Sequence, residues 1–355
     1  WLWECGLKYD GAVFDTMLVE YVLQCGNKQP LSLEACANRY ELATKKQDTM
    51  KEYFRNKTPI DEIPKQELSD YLSADLRATQ ELSDVLYRKL NTQEYAGLMN
   101  TVVLTNRVST ALARIYQNGF TVDVAKLNDV REEFEREKSD TEKRLTKQVK
   151  NLMGDTPINL NSPEQMSWVI YSRKPNDKLE WANTFSPYME TKDYKKEVKD
   201  KSSIVYKTQA QQCAGCLGTG SHRKVRKNGV PYARTNKCDS CNGSGYHFNP
   251  TSLVAGLKFS APSAKWISAN GFTVNKTNLL TLQGIARKNG LTDAVDFLSD
   301  LQRLSALDTY LSSFVDGIIT HTKPDGKLHV RLLQHRTSTG RFSGADPNMQ
   351  NMPRG

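Results

Sequence analysis

A chain of 355 residues is too long for one compact core, so two or three domains are expected. Its 38% hydrophobic and 25% charged residues are those of a soluble protein, and nothing approaches the roughly 18 consecutive apolar residues of a membrane span, so no membrane partner is expected. The net charge of +9 favours polyanionic partners without naming one, and the opening Trp1-Leu2-Trp3-Glu4-Cys5 lacks the initiator Met and basic segment of a signal peptide, which suggests a truncated sequence.

Residues 14–100 read as helices joined by loops. Asp15 is a candidate N-cap for a helix striped by Leu18, Tyr21, Val22 and Cys25. Pro64 opens a second helix, with Leu68, Leu72, Asp75, Thr79, Leu82 and Leu86 on one face. A long helix follows Asp123, carrying Leu127, Val130, Phe134, Leu145, Val149 and Leu152; its middle is charged and Gly154 stops it. Ser162-Pro163-Glu164-Gln165 joins a Ser N-cap, Pro at the first helical position and a capping-box Gln. From about residue 174 to 255 the composition turns to Lys, Gly and Ser with little helical period, as in an inserted module. Helical pattern resumes near 276 and runs to about 318, broken at Asn289-Gly290. Lys323-Pro324-Asp325-Gly326 is then a turn between two strand-like runs, 318–322 and 328–333. The expected fold class is mostly α with small β parts, an α+β multidomain chain.

Four of the seven cysteines form two mirrored motifs, Cys213-Ala214-Gly215-Cys216-Leu217-Gly218-Thr219-Gly220 and Cys238-Asp239-Ser240-Cys241-Asn242-Gly243-Ser244-Gly245. Two Cys at this spacing bind one metal from a tight turn, and the glycines let amides point at the thiolates. Two such knuckles make a structural, tetrahedral, four-cysteine zinc site with no open position, which could contribute about 10 kcal/mol or more to folding a small module. A disulfide pairing is the weaker alternative for a chain of this length and cysteine density. The surroundings are basic: Lys192, Lys195, Lys196, Lys199 and Lys201 precede the knuckles, and His222, Arg223, Lys224, Arg226, Lys227, Arg234 and Lys237 lie between them. Phosphate contact, docking of a partner protein and a merely solvated surface are all open readings.

Residues 336–353, RTSTGRFSGADPNMQNMP, have neither helical nor strand period, yet are dense in Gly and hydrogen-bonding side chains. The donors of Arg341, Asn348, Gln350 and Asn351 suit the minor groove, where every base pair shows acceptors in similar places. On composition alone a polar surface loop explains the stretch equally well.

This stretch closely resembles the start of the palm in family A (polymerase-I-like) DNA polymerases, whose pattern runs T-x-T-G-R-L-S-S and then P-N-L-Q-N-I-P. Here Thr337-Ser338-Thr339-Gly340-Arg341-Phe342-Ser343 and Pro347-Asn348-Met349-Gln350-Asn351-Met352-Pro353 match it, with Phe342, Met352 and Gly344 as mild departures. The resemblance implies that Arg336, Thr339, Arg341, Asn348, Gln350 and Asn351 bind primer-template DNA, with Arg341 reaching the minor groove, and that His329 stands in the second strand of the preceding hairpin. The family's D-Y-S-x-I-E motif is missing here, so Mg2+ and dNTPs belong to the complete enzyme and this chain alone is expected to be inactive.

Further resemblances extend over most of the chain. Leu112-Ala113-Arg114-Ile115-Tyr116-Gln117-Asn118-Gly119-Phe120 and residues 159–171 are similar to the family's thumb. Leu307-Asp308-Thr309-Tyr310 is a reduced form of a returning-thumb pattern, and Asp308 puts its backbone contact in doubt. Tyr71 and Asp75, with Thr79, resemble the third motif of a 3′–5′ exonuclease, although a solvated or capping Asp is the blander reading of the residues alone. Phe14-Asp15-Thr16-Met17-Leu18 and Asp61-Glu62-Ile63-Pro64 fit phage-type versions of that domain, whereas Lys8-Tyr9-Asp10 is a decoy, too close to Phe14 to be its second motif. The paired cysteine motifs resemble the zinc region of J-protein co-chaperones, but no H-P-D motif is present. The expected division is an exonuclease remnant at 1–100, thumb at 101–173, a basic zinc-ribbon-like insertion at 174–255, returning thumb at 256–318 and first palm segment at 319–355. A fragment of a phage-type DNA polymerase acting in replication is the leading expectation, located in the cytoplasm (that of the bacterial host if phage-encoded), with primer-template DNA and a processivity factor as expected partners. The alternative is a non-catalytic DNA-binding subunit of a split polymerase.

Overall fold

The computed structural model describes residues 5–7, 11–42, 48–186, 193–225 and 231–352. It is mostly helical, and every sheet among the described residues is two-stranded. No helix among them is long and apolar enough to cross a membrane. Two compact units form: Trp1–Asp129 with Ser312–Gly355, and Val130–Leu311.

The first unit begins with α1 (Thr16–Leu23), α2 (Leu33–Arg39), α3 (Asp48–Arg55), α4 (Lys65–Leu90) and α5 (Leu98–Asn118). Asp15 caps α1 as expected, its carboxylate accepting from the amides of Met17 at 3.0 Å and Leu18 at 3.1 Å. Val19, Leu23, Cys36, Leu82, Leu86, Leu90 and Val102 close the core. The α4 stripe differs from expectation. Ala78, Leu82, Leu86 and Leu90 are buried, while Leu72 is 58% and Leu76 63% exposed. The described neighbours α1 and α2 pack on α4, and the core they share with it engages only its C-terminal half, so periodicity set the face correctly but not its extent. Glu20, on α1, is a buried charge that no local pattern reveals; it takes Arg39 Nη1 at 2.6 Å and the Tyr40 hydroxyl at 2.7 Å.

After α5, Gly119 turns the chain at φ +64° into β1 (Phe120–Thr121). The 30-residue α6 (Val124–Met153) then runs from the first unit into the second. Gly154 ends it at φ +79°, where a side chain would run into the Thr208 backbone. The second unit continues with α7 (Pro163–Tyr171), β2 (Arg173–Pro175), α8 (Lys178–Thr184), α9 (Tyr194–Lys201), β3 (Ser202–Ile204), β4 (Tyr206–Gln212), β5 (Ser221–Val225), β6 (Pro231–Lys237), β7 (Tyr246–Val254), β8 (Ile267–Ser268), β9 (Gly271–Phe272), α10 (Lys276–Lys288) and α11 (Thr292–Thr309). Ser162 caps α7, accepting from the Gln165 amide. The Gln165 side chain does not close a capping box; it accepts from the Asn159 amide at 2.6 Å and so ties down the preceding loop.

Helices α8 and α9 correct the expectation of a helix-poor stretch from 174 onward. Trp181 of α8 is fully buried with Phe185 among Met166, Ile170, Phe272, Phe297 and Leu298, in the same core as α6, α7, α10 and α11. The charged middle of α6 is no bare solvated face either. Glu137 accepts two bonds from Arg303 at 2.6 Å each, Lys138 pairs with Asp308 at 2.7 Å, and Arg144 pairs with Asp300 at 2.8 Å, lacing α6 to α11.

The chain returns to the first unit through a π-helical turn, Tyr310–Val315, and α12 (Asp316–His321). Residues 318–321, expected in a strand, are therefore helical: Ile318 is buried against Leu328 and Val330, and that packing outweighs the β-branched composition. The turn at 323–326 leads to β10 (Lys327–Leu328), β11 (Arg331–Leu333) and β12 (Ser343–Ala345). His329 falls between β10 and β11 rather than inside a strand. β10 pairs with β1, and β11 with β12, both antiparallel.

Candidate functional site

The cysteine knuckles sit between two antiparallel hairpins, β4 with β7 and β5 with β6. Thr208 fixes the base of the outer hairpin, accepting from the Asp155 amide at 3.0 Å through its carbonyl and from the Thr156 amide at 2.9 Å through its hydroxyl. The knuckles are related by a local two-fold pattern. The Cys213 amide donates to the Gly245 carbonyl and the Cys238 amide to the Gly220 carbonyl, at 2.9 and 3.0 Å. The hydroxyls of Thr219 and Ser244 donate to the carbonyls of Cys216 and Cys241. Gly220 and Gly245 donate their amides to the sulfurs of Cys216 and Cys241, each at 3.3 Å.

All four sulfurs are buried and lie within 4.8 Å of one another. Sulfurs at about 2.3 Å from one tetrahedral ion stand about 3.8 Å apart; Cys213 and Cys238 are at 3.9 Å, Cys216 and Cys241 at 3.7 Å. Burial raises the Cys213 and Cys241 thiols, but surrounding amides outweigh it and bring them to about 7 and about 6. The Cys241 amide draws Cys238 down, yet burial and the neighbouring thiols take it up to about 11. Two of the four sulfurs are thus readily thiolates, the form that binds metal. The four cysteines predicted as ligands come together and could hold one metal ion.

Of the basic residues around the knuckles, Arg223, Lys237, Lys195, Lys196 and Lys199 are exposed. Lys192, Arg226 and Lys227, and the side chains of Lys224 and Arg234, lie outside the described residues.

The second cluster is the loop joining β11 to β12 and its continuation. Arg336, Thr339, Arg341, Asn348, Gln350 and Asn351 are all exposed on it; Pro353 lies outside the described residues. The Thr337 hydroxyl donates to the Arg341 carbonyl at 2.7 Å, and Gly340 takes φ +74°, which together fold the loop tip. Asn348 accepts from the Gln350 amide at 3.2 Å. A Cβ on Gly344 would stand 2.8 Å from Asn348 Oδ1, so the glycine lets that side chain close over the strand. Burial and the adjacent Arg336 hold the His335 imidazole below its usual range.

Sequence reasoning missed what supports this loop. Tyr21 of α1 donates its hydroxyl to the Thr337 carbonyl at 2.7 Å, across 316 positions of sequence. Tyr21 read as one more residue of an apolar stripe, and nothing local distinguishes it.

Tyr71 and Asp75 share one face of α4, half-buried, with Tyr71 edge-on to Phe54 and the Thr79 hydroxyl bonded to the Asp75 carbonyl. Among the described residues the four cysteines are the only grouping of three or more potential ligands, so no carboxylate set gathers around Asp75 there. Lys8, Tyr9 and Asp10 lie outside the described residues.

No family model matches the chain. DNA polymerase I of Bacillus subtilis (strain 168) is 22% identical over 353 residues, covering 99% of this chain and 28% of that protein. DNA polymerase I of Lactococcus lactis subsp. cremoris is 40% identical over 80 residues, 20% of the chain and 9% of the relative. That of Streptococcus pneumoniae serotype 4 is 32% identical over 110 residues, 28% and 12% respectively. Among solved structures, the POL domain of Pol1 from M. smegmatis, in complex with DNA primer-template and dNTP, aligns with TM-score 0.54 and 19% identity over 99% of this chain and 41% of that one. The chain therefore spans just over a quarter of the B. subtilis relative; its sequence is similar to that of DNA polymerase I, and its fold is similar to that of a solved polymerase domain.

Proposed function

We propose that the chain is the part of a replicative family A DNA polymerase that holds primer-template DNA. The loop carrying Arg336, Thr339, Arg341, Asn348, Gln350 and Asn351 supplies the minor-groove contacts, and the α6–α11 unit acts as the thumb. The observation that carries this is the loop itself: six exposed donor-bearing side chains, folded by Gly340 and Thr337 and buttressed by Tyr21, in a chain similar in sequence to DNA polymerase I. Donors that reach shared minor-groove acceptors hold any sequence, as a replicative enzyme must.

The four-cysteine cluster takes a structural Zn2+: its donor set is all sulfur, its sulfur spacings suit a tetrahedral ion, and its amides support the thiolates. The zinc arm (β4 to β7) adds phosphate contacts through its basic residues and so raises processivity. Tyr71 and Asp75 belong to an incomplete exonuclease site. The carboxylates that hold Mg2+ for nucleotidyl transfer, and the dNTP site, belong to the complete enzyme, so this chain binds DNA without extending it. A phage-type parent, or one half of a split polymerase, accommodates the same assignment.

The test is equilibrium binding of the chain to a fluorescent primer-template hairpin. Arg341→Ala should weaken binding by about 1–3 kcal/mol, irrespective of sequence, with unchanged thermal stability. Equal affinity of the variant and the parent chain for primer-template would exclude the loop as the DNA interface.

A further inference from the structure

The structure places a second wall beside the loop, and it leads to an additional DNA contact. The segment joining α1 to α2 and the residues 335–338 enclose a groove of about 280 Å3, lined by Tyr21, Gln24, Gly26 to Leu31, and His335 to Ser338. No Asp or Glu lines it. Lys28 and Arg336, on opposite walls, are both exposed, and among the described residues neither is in an ion pair. Asn27, Gln29, Thr337 and Ser338 add neutral polar groups to the lining, beside the apolar Pro30 and Leu31.

Both walls are built. On one side Arg39, anchored on buried Glu20, donates Nη2 to the Pro30 carbonyl at 2.8 Å, and the Gln29 amide donates to the Gln24 side chain at 3.0 Å. Gly26, at φ +93°, passes close to the other wall: a Cβ there would lie 3.5 Å from the Ser338 carbonyl. On that side Tyr21 fixes the Thr337 carbonyl. A groove with two cations, several neutral donors and no carboxylate suits a phosphodiester, and Arg336 makes it continuous with the loop assigned above to DNA.

We propose that this groove binds the phosphate backbone of the DNA, with Lys28 as a phosphate contact and Tyr21 as a residue that positions the loop. The inference rests on the assignment of the loop to DNA. The test measures the binding of Lys28→Gln, Tyr21→Phe and Arg341→Ala forms of the whole chain, across a salt series, to a blunt duplex and to the same duplex with a single-stranded template overhang. Loss of one phosphate contact removes about 0.9 from the slope of log affinity against log salt for duplex, or about 0.7 for single strand, which is about eightfold or fivefold in affinity at 0.1 M. Lys28→Gln should show that loss on at least one DNA, and the DNA concerned identifies whether duplex or overhang fills the groove. Tyr21→Phe should weaken binding while leaving the salt slope intact, since it removes no charge. If Arg341→Ala weakens binding while Lys28→Gln changes neither slope nor affinity on both DNAs, the groove assignment is wrong and the loop assignment stands. If Arg341→Ala also has no effect, both fall. Lys28 is exposed, so its replacement leaves folding intact, and a thermal melt checks this.

Discussion

Gly220 and Gly215 lie in the same knuckle and answer differently to the same added methyl group. Gly220 sits at φ +69°, and a Cβ on it would run into the Gly243 carbonyl, with the Gly245 amide behind. The left-handed conformation costs a non-Gly residue about 1–2 kcal/mol, and forcing an atom against fixed backbone costs about 1–3 kcal/mol. Gly220→Ala should therefore weaken metal binding by about 2–5 kcal/mol, roughly 30- to 5,000-fold, because the Gly220 amide on Cys216 and the Gly220 carbonyl on Cys238 both move. At Gly215 the nearest atoms to a Cβ are Cys238 Sγ and Ser240 Cβ, both at 3.6 Å, an ordinary contact, so Gly215→Ala should change affinity less than threefold. The assay is zinc competition against a chromophoric chelator at neutral pH, with circular dichroism to follow the arm. Equal zinc affinities for the two variants would mean that the crossed knuckles do not set the ligand geometry.

Arg39→Met removes the counter-charge of Glu20 and should destabilise the first unit by about 3 kcal/mol in urea melts, the low end for a broken buried pair because Tyr40 still donates to Glu20. Arg303 holds the Glu137 carboxyl below its ordinary range, against an opposing effect of burial. A depressed carboxyl contributes stability that is present above its unfolded pKa of about 4.3 and lost as pH falls through the lower folded value, so Glu137→Gln should flatten the acid limb of the stability profile below about pH 5. Replacing 207–253 by a short linker should reduce the salt slope of DNA binding while the Trp181 core melts as before, because α8 and α9 stay with that core. A slope unchanged by the deletion removes the arm from the DNA interface.

Punctuation was the most legible part of the sequence. Asp15, Ser162 and Gly154 act through their own backbone neighbourhood, so their residue types suffice to place helix ends. The two CxxC motifs carry their own geometry in the same way. Long-range packing was not legible. Residues 318–321 have strand composition but are helical because Ile318 finds Leu328 and Val330. Helix α8 hides in a Lys-rich stretch because only tertiary structure shows that Trp181 belongs to a core made by residues up to about 120 positions away. The charged stripe of α6 gains its meaning from Asp300, Arg303 and Asp308, and Tyr21 gains its meaning from Thr337.

The loop from Arg336 to Asn351 is proposed to hold the primer-template. A structure of the chain bound to a primer-template hairpin measures this most directly. It should show the Arg341 guanidinium and the amides of Asn348, Gln350 and Asn351 within hydrogen-bonding distance of minor-groove N3 and O2 acceptors near the primer end. DNA bound only along the zinc arm or α6, with this loop facing solvent, would rule out the loop as the primer-template site.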